Sequence, residues 1–431
     1  MIEKPPKISG KDKVMGKMMK AIEPIISKIN AEFAYWDTVK YKQLPEGCSP
    51  QQLWYMVKQS RAKRDIMVWE KYGIHLSITD QMLRTCHELD LDIGGSWMSN
   101  DELQNSDKER YLVSSLMEEA ISSSVMEGAV TTRVVAKEML RKKIPPHDTS
   151  QQMIANNYAT IQYVAAHRNE PLTLEGLLHV HELMTEKTLE RPEMAGHFRE
   201  NDEVVVADVM QDEVIYRPPS YKELPQFVTD LCEFFNHDDE LVFIHPIIRG
   251  IIIHFMIAYM HPFVDGNGRT ARALFYWYMM KEKYPMTEYL SISRVIARSK
   301  RSYEKSFRYV EYDNNDIGYF VAYNLDVLCK AYEQFQQYIK RKTAEKENAN
   351  SLMAIGGIND RQSQILQRFI LKPAEVVTVK DIEVRYGVTP MTARHDLMVL
   401  VGKGLLKEVD LNQRKRGYIR SEQFDELIQK R

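Results

Sequence analysis

The sequence has little to offer a mechanism built on thiols, a membrane or a global electric field. Its four cysteines, Cys48, Cys86, Cys232 and Cys329, are far apart and lack the C-x2-C spacing of a zinc ribbon or redox pair. A reducing compartment is the simple reading. The most apolar run, Gly250 to Met260, spans eleven residues, includes His254 and follows Arg249, whereas a membrane helix needs about 20. The opening residues MIEKPPKISGKDK hold no apolar stretch of the signal-peptide kind. A cytoplasmic location with no membrane partner is therefore expected. Neither sign of charge dominates: 58 Lys and Arg stand against 60 Asp and Glu, a net of −2. No overall field then attracts nucleic acid or acidic lipid, and any basic patch must be local. Repeats, low-complexity tracts and the G-x-x-x-x-G-K-[ST] phosphate loop are also missing.

What is present is mainly helical. Long stretches place apolar residues three and four apart, with few glycines between them, and 431 residues suffice for two or three domains. Residues Tyr111 to Gly128 read as one helix ended by glycine, with a new helix expected after Thr131 or Thr132. Between Val204 and Arg217, VVVADVMQDEVIYR is β-branched on both sides of a polar turn and ends in Pro218-Pro219. That pattern predicts a short hairpin, the one convincing case before the last eighty residues.

The richest stretch is MHPFVDGNGRTARALF, Met260 to Phe275. Ahead of it PIIRGIIIHFMIAYM should be a buried helix that ends near His261, because Pro262 disfavours helical geometry in the residue before it. Asp265-Gly266-Asn267-Gly268 predicts a tight loop, and a helix follows from Arg269. Gly266 and Gly268 let the backbone approach a ligand, with loop N–H groups at the positive end of the next helix. Arg269 and Arg272 are three apart and share a face. Two guanidiniums at a helix N-terminus oppose the macrodipole unless an anion offsets them, and a polyphosphate would. Asp265 could hold a Mg2+ ion between phosphate oxygens, and His261 stands where a general base could deprotonate a hydroxyl. Taken singly, each residue also fits an Asn-Gly turn with surface arginines; the whole constellation argues for the phosphate site.

These residues match the motif H-x-F-x-[DE]-G-N-G-R-x-x-R at every specified position, from His261 and Phe263 to Arg269 and Arg272. The chain thus resembles the Fic family of AMP-transferases over roughly residues 110 to 340. The resemblance implies an all-helical Fic core with the hairpin as a flap beside the site. It also implies ATP as substrate with Mg2+, and transfer of AMP to a Ser, Thr or Tyr hydroxyl of a target protein. In that reading His261 is the base, Asp265 the magnesium ligand and Phe263 a core anchor. The Gly266-Asn267-Gly268 backbone holds phosphate, Asn267 adds a side-chain contact, and Arg269 and Arg272 bind the outer phosphates. A phosphotransferase branch has lysine at the second glycine, so Gly268 aligns this chain with the AMP branch. Val204, Val205, Val206, Val214, Ile215 and Tyr216 would form the flap on which an extended target segment adds as a strand.

SSVMEG, Ser123 to Gly128, matches the family's inhibitory pattern [ST]-x-x-x-E-[GN]. Ser123 and Glu127 are one turn apart, and Glu127 lies in a last helical turn that disfavours a carboxylate, so a cationic partner is expected. By resemblance that partner is Arg272. Control would be intramolecular, and in some relatives the same glutamate assists removal of AMP, so the reverse reaction stays open.

Residues 361 to 431 carry 14 Lys and Arg against 9 Asp and Glu, a net of +5. They resemble a winged helix-turn-helix, with Gly387 in the turn, Thr389 as cap, Pro390 at the first helical position and Arg414-Lys415-Arg416 at the wing tip. Ala393, Leu397, Leu400 and Val401 form the inward stripe, leaving Thr392, Arg394 and His395 outside for DNA. Such modules also dock proteins, so DNA and protein both stay open as partners, as does a homodimer. The expected organisation is a helical extension over 1–105, the Fic core over 106–345 including the inhibitory helix 111–128, a linker or fraying helix end over 346–360, and the winged helix over 361–431. A competing reading is a DNA-binding regulator whose Fic core only senses nucleotide. Of the other histidines, His254 reads as core, His245 as structural, and His179 and His181 as too poorly aligned for a metal pair.

Overall fold

The computed structural model describes residues 2–13, 16–94, 105–208, 213–237, 242–353, 357–412 and 415–429. The chain forms two compact units, Met1–Phe335 and Gln336–Arg431. Among the described residues, no helix is long and apolar enough to cross a membrane.

The first unit begins with helices α1 (Lys17–Ala31), α2 (Trp36–Val39) and α3 (Pro50–Arg61), a hairpin of β1 (Asp65–Trp69) and β2 (Ile74–Ser77), and α4 (Asp80–Ile93). The hairpin corrects the expectation of one hairpin before the last eighty residues. Its strands, DIMVW and IHLS, are short, and the chain reverses through a helical turn closed by Gly73 at φ 59°. No Asn-Gly pair marks it, which is why periodicity alone passed it over. This extension is pinned to later helices by buried charge. Lys58 pairs with Asp313 at 2.9 Å and Asp316 at 3.3 Å, and the buried Arg61 donates to the Tyr319 hydroxyl and the Ala34 carbonyl, both at 2.9 Å.

The core of this unit continues with α5 (Asn105–Met126), α6 (Arg133–Lys142), α7 (Thr149–Ala166), α8 (Leu174–Thr185), strands β3 (Val206–Asp208) and β4 (Glu213–Tyr216), and α9 (Leu224–Asn236). Then come α10 (Pro246–Met260), α11 (Asn267–Lys281), α12 (Ile292–Arg298), α13 (Lys300–Tyr312) and α14 (Gly318–Met353). Caps explain several starts: Thr132, Asp148 and Thr173 each accept from the backbone N–H three residues on. α10 and α11 are buried on nearly every face, as helices without a polar side must be. Gly250 allows their close approach, since a Cβ there would lie 3.1 Å from Met279 Sδ and 3.2 Å from the Tyr278 ring. The flap is shorter than expected: pairing joins Val206 to Tyr216 and Ala207 to Val214, while Val204 and Val205 precede the strand. A bulge between Val206 and Ala207 ends the regular register.

The second unit holds the end of α14, then α15 (Asp360–Leu371), α16 (Val379–Tyr386), α17 (Pro390–Gly402), a β5 (Leu406–Asn412) and β6 (Lys415–Arg420) hairpin, and α18 (Phe424–Gln429). The polar stretch after Arg341 is helical as far as Met353. Asn359 with Gln362 and Thr378 with Asp381 form capping boxes, and Gly387 turns the chain at φ 64°. Ala393, Leu397 and Leu400 are fully buried with Leu366, Phe369 and Tyr418 in a separate small core.

Candidate active site

The site is built where α10 ends and α11 begins. His261 caps α10 in the left-handed region, φ 45°, a conformation uncommon for a residue with a side chain. Its Nδ1 lies 2.8 Å from the Ala258 carbonyl oxygen. A carbonyl only accepts, so Nδ1 carries the proton and Nε2 presents a lone pair. Burial lowers the His261 pKa below 6.5, against the opposing pull of the Ala258 carbonyl and Glu127. The ring is therefore a neutral base at pH 7.

The loop after it is held from below. Phe263 is fully buried and lies flat on the His181 ring, 3.7 Å between centroids. The Asn267 amide closes the loop on itself: its oxygen accepts from Phe263 N–H at 3.0 Å and its Nδ2 donates to the Phe263 carbonyl at 2.8 Å. That side chain is a staple inside the loop, which differs from the expected ligand contact. Gly266 has φ 80°, and a Cβ there would come within 2.8 Å of Thr185 Cγ2, so glycine is required for both reasons.

Arg269 and Arg272 are each 1% exposed, which removes the surface-turn reading. Arg269 reaches the Met184 carbonyl at 3.2 Å and the Asp265 carboxylate at 3.3 Å, both long, and its Nε has no partner among the described residues. Burial lowers its pKa, with Asp265 and Glu127 opposing. A buried guanidinium so thinly satisfied leaves donors for an anion.

Arg272 is held by α5 and the turn after it. Its Nε donates to Ser123 Oγ at 2.9 Å, and its Nη2 donates to the Ser123 carbonyl at 3.2 Å and to Glu127 Oε1 at 2.7 Å. Burial acts to lower the Arg272 pKa, but Glu127 reverses this and the net shift is upward. For Glu127 desolvation acts upward, and Arg272 outweighs it, holding the carboxylate below its ordinary 4.5. Gly128, at φ 98°, turns the chain away behind Glu127.

Residues 171–279 match the Fic/DOC family. These residues form a Fic domain. The Fic motif residues His261 to Arg272 all fall within that span. Among curated proteins the chain is 25% identical over 234 residues to protein adenylyltransferase Fic of Aedes aegypti, covering 53% of this chain and 42% of that protein. It is 28% identical over 118 residues to protein adenylyltransferase Fic of Nematostella vectensis, covering 27% of this chain and 25% of that protein. The chain spans less than half the length of these relatives. In fold it is similar to a Fic family protein from Desulfovibrio desulfuricans G20, TM-score 0.52 and 16% identity over 80% of this chain and 97% of that one. It is also similar to Fic-1 of C. elegans, TM-score 0.51 and 17% identity over 76% of this chain and 86% of that one. Residues 361–409 match DeoR-like helix-turn-helix domains.

Two residues of the Fic domain's site were not assigned to it from the sequence. His181 is fully buried. Its Nε2 donates to the Asp265 carbonyl at 2.9 Å, and its Nδ1 accepts from Gly196 N–H at 3.0 Å. Desolvation depresses its pKa to about 4, so it is a neutral prop under the loop. Arg199 reaches the other side of His261. Both lie more than sixty residues before the loop, and no local pattern marks them.

In the helix-turn-helix unit, Arg394 and His395 are exposed and Thr392 is half-buried on α17. Arg416 on the wing strand pairs with Glu408 at 3.1 Å. Lys415 begins β6, and Arg414 lies outside the described residues.

Proposed function

We propose that this chain is a protein adenylyltransferase that moves AMP from ATP to a Ser, Thr or Tyr hydroxyl of a target protein and is restrained by Glu127. The observation that carries this is the shared mouth of three groups: the free Nε2 of His261, the glycine loop at the start of α11, and the under-satisfied Arg269 guanidinium. The hydroxyl oxygen attacks the α-phosphorus, its proton passes to His261 Nε2, and the bond from that phosphorus to the β-phosphate oxygen breaks, releasing pyrophosphate. Gly266 and Gly268 let main-chain N–H groups close on phosphate oxygens, and Arg269 with Arg272 would neutralise the departing charge.

Asp265 supports a role for Mg2+. Its carboxylate is 59% exposed and, among the described residues, pairs with Arg269 at a long 3.3 Å, and one carboxylate beside phosphate oxygens is the donor set that ion accepts. Asp265 would hold the ion, and the chemistry it would supply there is neutralisation of phosphate charge. Arg272 cannot grip the γ-phosphate while Glu127 and Ser123 hold it, so ATP would sit misaligned for in-line attack. The same carboxylate, near the base, leaves AMP removal from the target open as a reverse activity.

For the second unit, the DeoR-like match and the exposed Arg394 and His395 favour DNA as the partner. A regulator whose Fic domain only binds nucleotide is the rival reading. Incubating the wild type, Glu127→Gly and Glu127→Gly/His261→Ala with α-labelled ATP and Mg2+ separates the two. Label on Glu127→Gly protein that is lost with His261 is expected; equal label without His261 rejects the enzyme.

A further inference from the structure

Arg199 is a buried guanidinium, 2% exposed, on the segment between α8 and the flap. Its partners come from two places. On one side stand carbonyls at the end of α10 and just past it: Nε donates to the His261 carbonyl at 2.9 Å, Nη2 reaches the Met260 carbonyl at 3.5 Å, and the Arg199 main-chain N–H donates to the Pro262 carbonyl at 2.9 Å. On the other stand the two roots of the flap. Nη1 donates to the Asn201 carbonyl and to Asp202 Oδ1, both at 2.8 Å, before β3, and Nη2 donates to the Pro219 carbonyl after β4. Asp202 completes the tie by accepting from Ser220 Oγ at 2.9 Å and Tyr221 N–H at 2.6 Å.

The ending carbonyls of a helix need donors, and a cation there also meets the negative end of the dipole. A glycine cap or water would satisfy that need. Here the donor is a planar fork whose other arms grip the flap, and the residue it caps is His261 itself, held at φ 45°. A buried salt bridge between two scaffold elements would leave base and flap independent. This one makes the height of the imidazole and the seating of the flap a single geometric variable.

We propose that Arg199 is the positioning residue that sets the target-docking flap against the general base, so that a hydroxyl carried on the flap arrives within reach of His261 Nε2. The inference rests on the adenylyltransferase reading. The loop that would hold phosphate is propped separately, by His181 and Thr185, so nucleotide binding should survive when the clamp is loosened.

The test uses the full chain in the Glu127→Gly background with Mg2+ and ATP as probe. Arg199→Lys keeps the charge but cannot span both sides, and Arg199→Gln keeps neither charge nor fork. ATP affinity by calorimetry is expected to stay within about twofold. AMP transfer at saturating ATP should fall about 100-fold, the scale set by a misplacement of about 1 Å, with Arg199→Lys the less impaired. Transfer equal to the parent in both variants overturns the proposal. So does parallel loss of ATP affinity and transfer, which marks a plain structural residue. Should neither variant fold, Asp202→Ala, on a side chain 52% exposed, carries the decision: reduced transfer with ATP affinity kept supports the coupling, and unchanged transfer overturns it. Absence of transfer in the Glu127→Gly parent itself would instead reject the adenylyltransferase reading, with ATP affinity still reporting on the loop.

Discussion

Glu127 Oε1 lies 2.7 Å from Arg272 Nη2 and rests against Gly268, where a Cβ would come within 2.3 Å of the same oxygen. One carboxylate thus occupies both the charge and the space that a phosphate oxygen would need at the mouth of α11. Inhibition built this way is removed by deleting the carboxylate. Glu127→Gly should raise auto-labelling by ATP at least about tenfold, equivalent to about 1.4 kcal/mol. Ser123→Ala, which takes one hydroxyl from Arg272 and leaves the carboxylate, should raise it less. Equal labelling of wild type and Glu127→Gly would reject this role for the residue.

The pH dependence of transfer follows from His261. Its pKa is below 6.5, first because burial disfavours the imidazolium, so the base is already free at pH 7 and is lost only on acidification. Initial rates of Glu127→Gly at saturating ATP should be flat above about pH 7 and fall only below about 6.5. Removing Glu127, which pulls the pKa upward, moves that acid limb lower still. A limb above 6.5 in the Glu127→Gly protein would exclude His261 as the base.

A stability effect is expected from His254, which is 1% exposed and faces the Tyr303 hydroxyl at 3.0 Å. Burial, with Arg272 adding, depresses its pKa to about 3. As pH falls through 6.5 the unfolded chain takes up this proton and the folded chain does not, so stability falls from 6.5 downward and is unaffected above it. Between pH 6.5 and 4.5 the loss is about 2 kcal/mol. His254→Phe should lower stability at pH 7 and flatten that slope, so that the gap to the wild type narrows as pH falls, as denaturant melts at a series of pH values would show; an unchanged slope would contradict the assignment.

In the second unit Asp396 is fully buried and holds Arg361, the Gln362 amide at 3.0 Å and the Asn359 amide at 3.4 Å. It ties the start of α15 to the middle of α17. Asp396→Ala strands these donors and should destabilise this unit by about 3 kcal/mol. Calorimetry of the full chain would register this as an earlier transition for the unit, and coincident melting curves would refute it.

DNA binding by this unit should show the signature of phosphate contacts. A gel shift with duplex DNA is expected at low salt, to weaken steeply as salt rises, and to weaken with Arg394→Ala. No shift even at low salt would leave protein docking as the role of α17.

Much of the site was legible because its chemistry is local. Twelve consecutive residues carry His261, Asp265, both glycines and both arginines, and the apolar run before them could only be a buried helix. The turn that holds Arg272 was legible for the same reason, Ser123 and Glu127 being one helical turn apart. The β1–β2 hairpin was not, since short apolar strands without a glycine-asparagine turn look like helix fragments. Nor was the reach of the flap: Val204 and Val205 have strand-forming side chains, but the pairing shifts register at a bulge between Val206 and Ala207 and stops at Val206. The role of the Asn267 amide in closing the loop was not legible, because an amide can serve a ligand or its own backbone, and only the folded loop shows its two bonds to Phe263.

Sequence order alone settled which residue types meet at the loop, because a tight bend between two helices leaves adjacent residues no way to separate. Tertiary packing decided the rest. It chose Arg272 over Arg269 as the partner of Glu127, 145 positions away, fixed the His261 tautomer through a carbonyl at a helix end, and brought His181 beneath the loop and Arg199 against the His261 carbonyl. Those outcomes depend on directions of side chains across packed helices, and direction in space is a property that spacing along a chain does not encode.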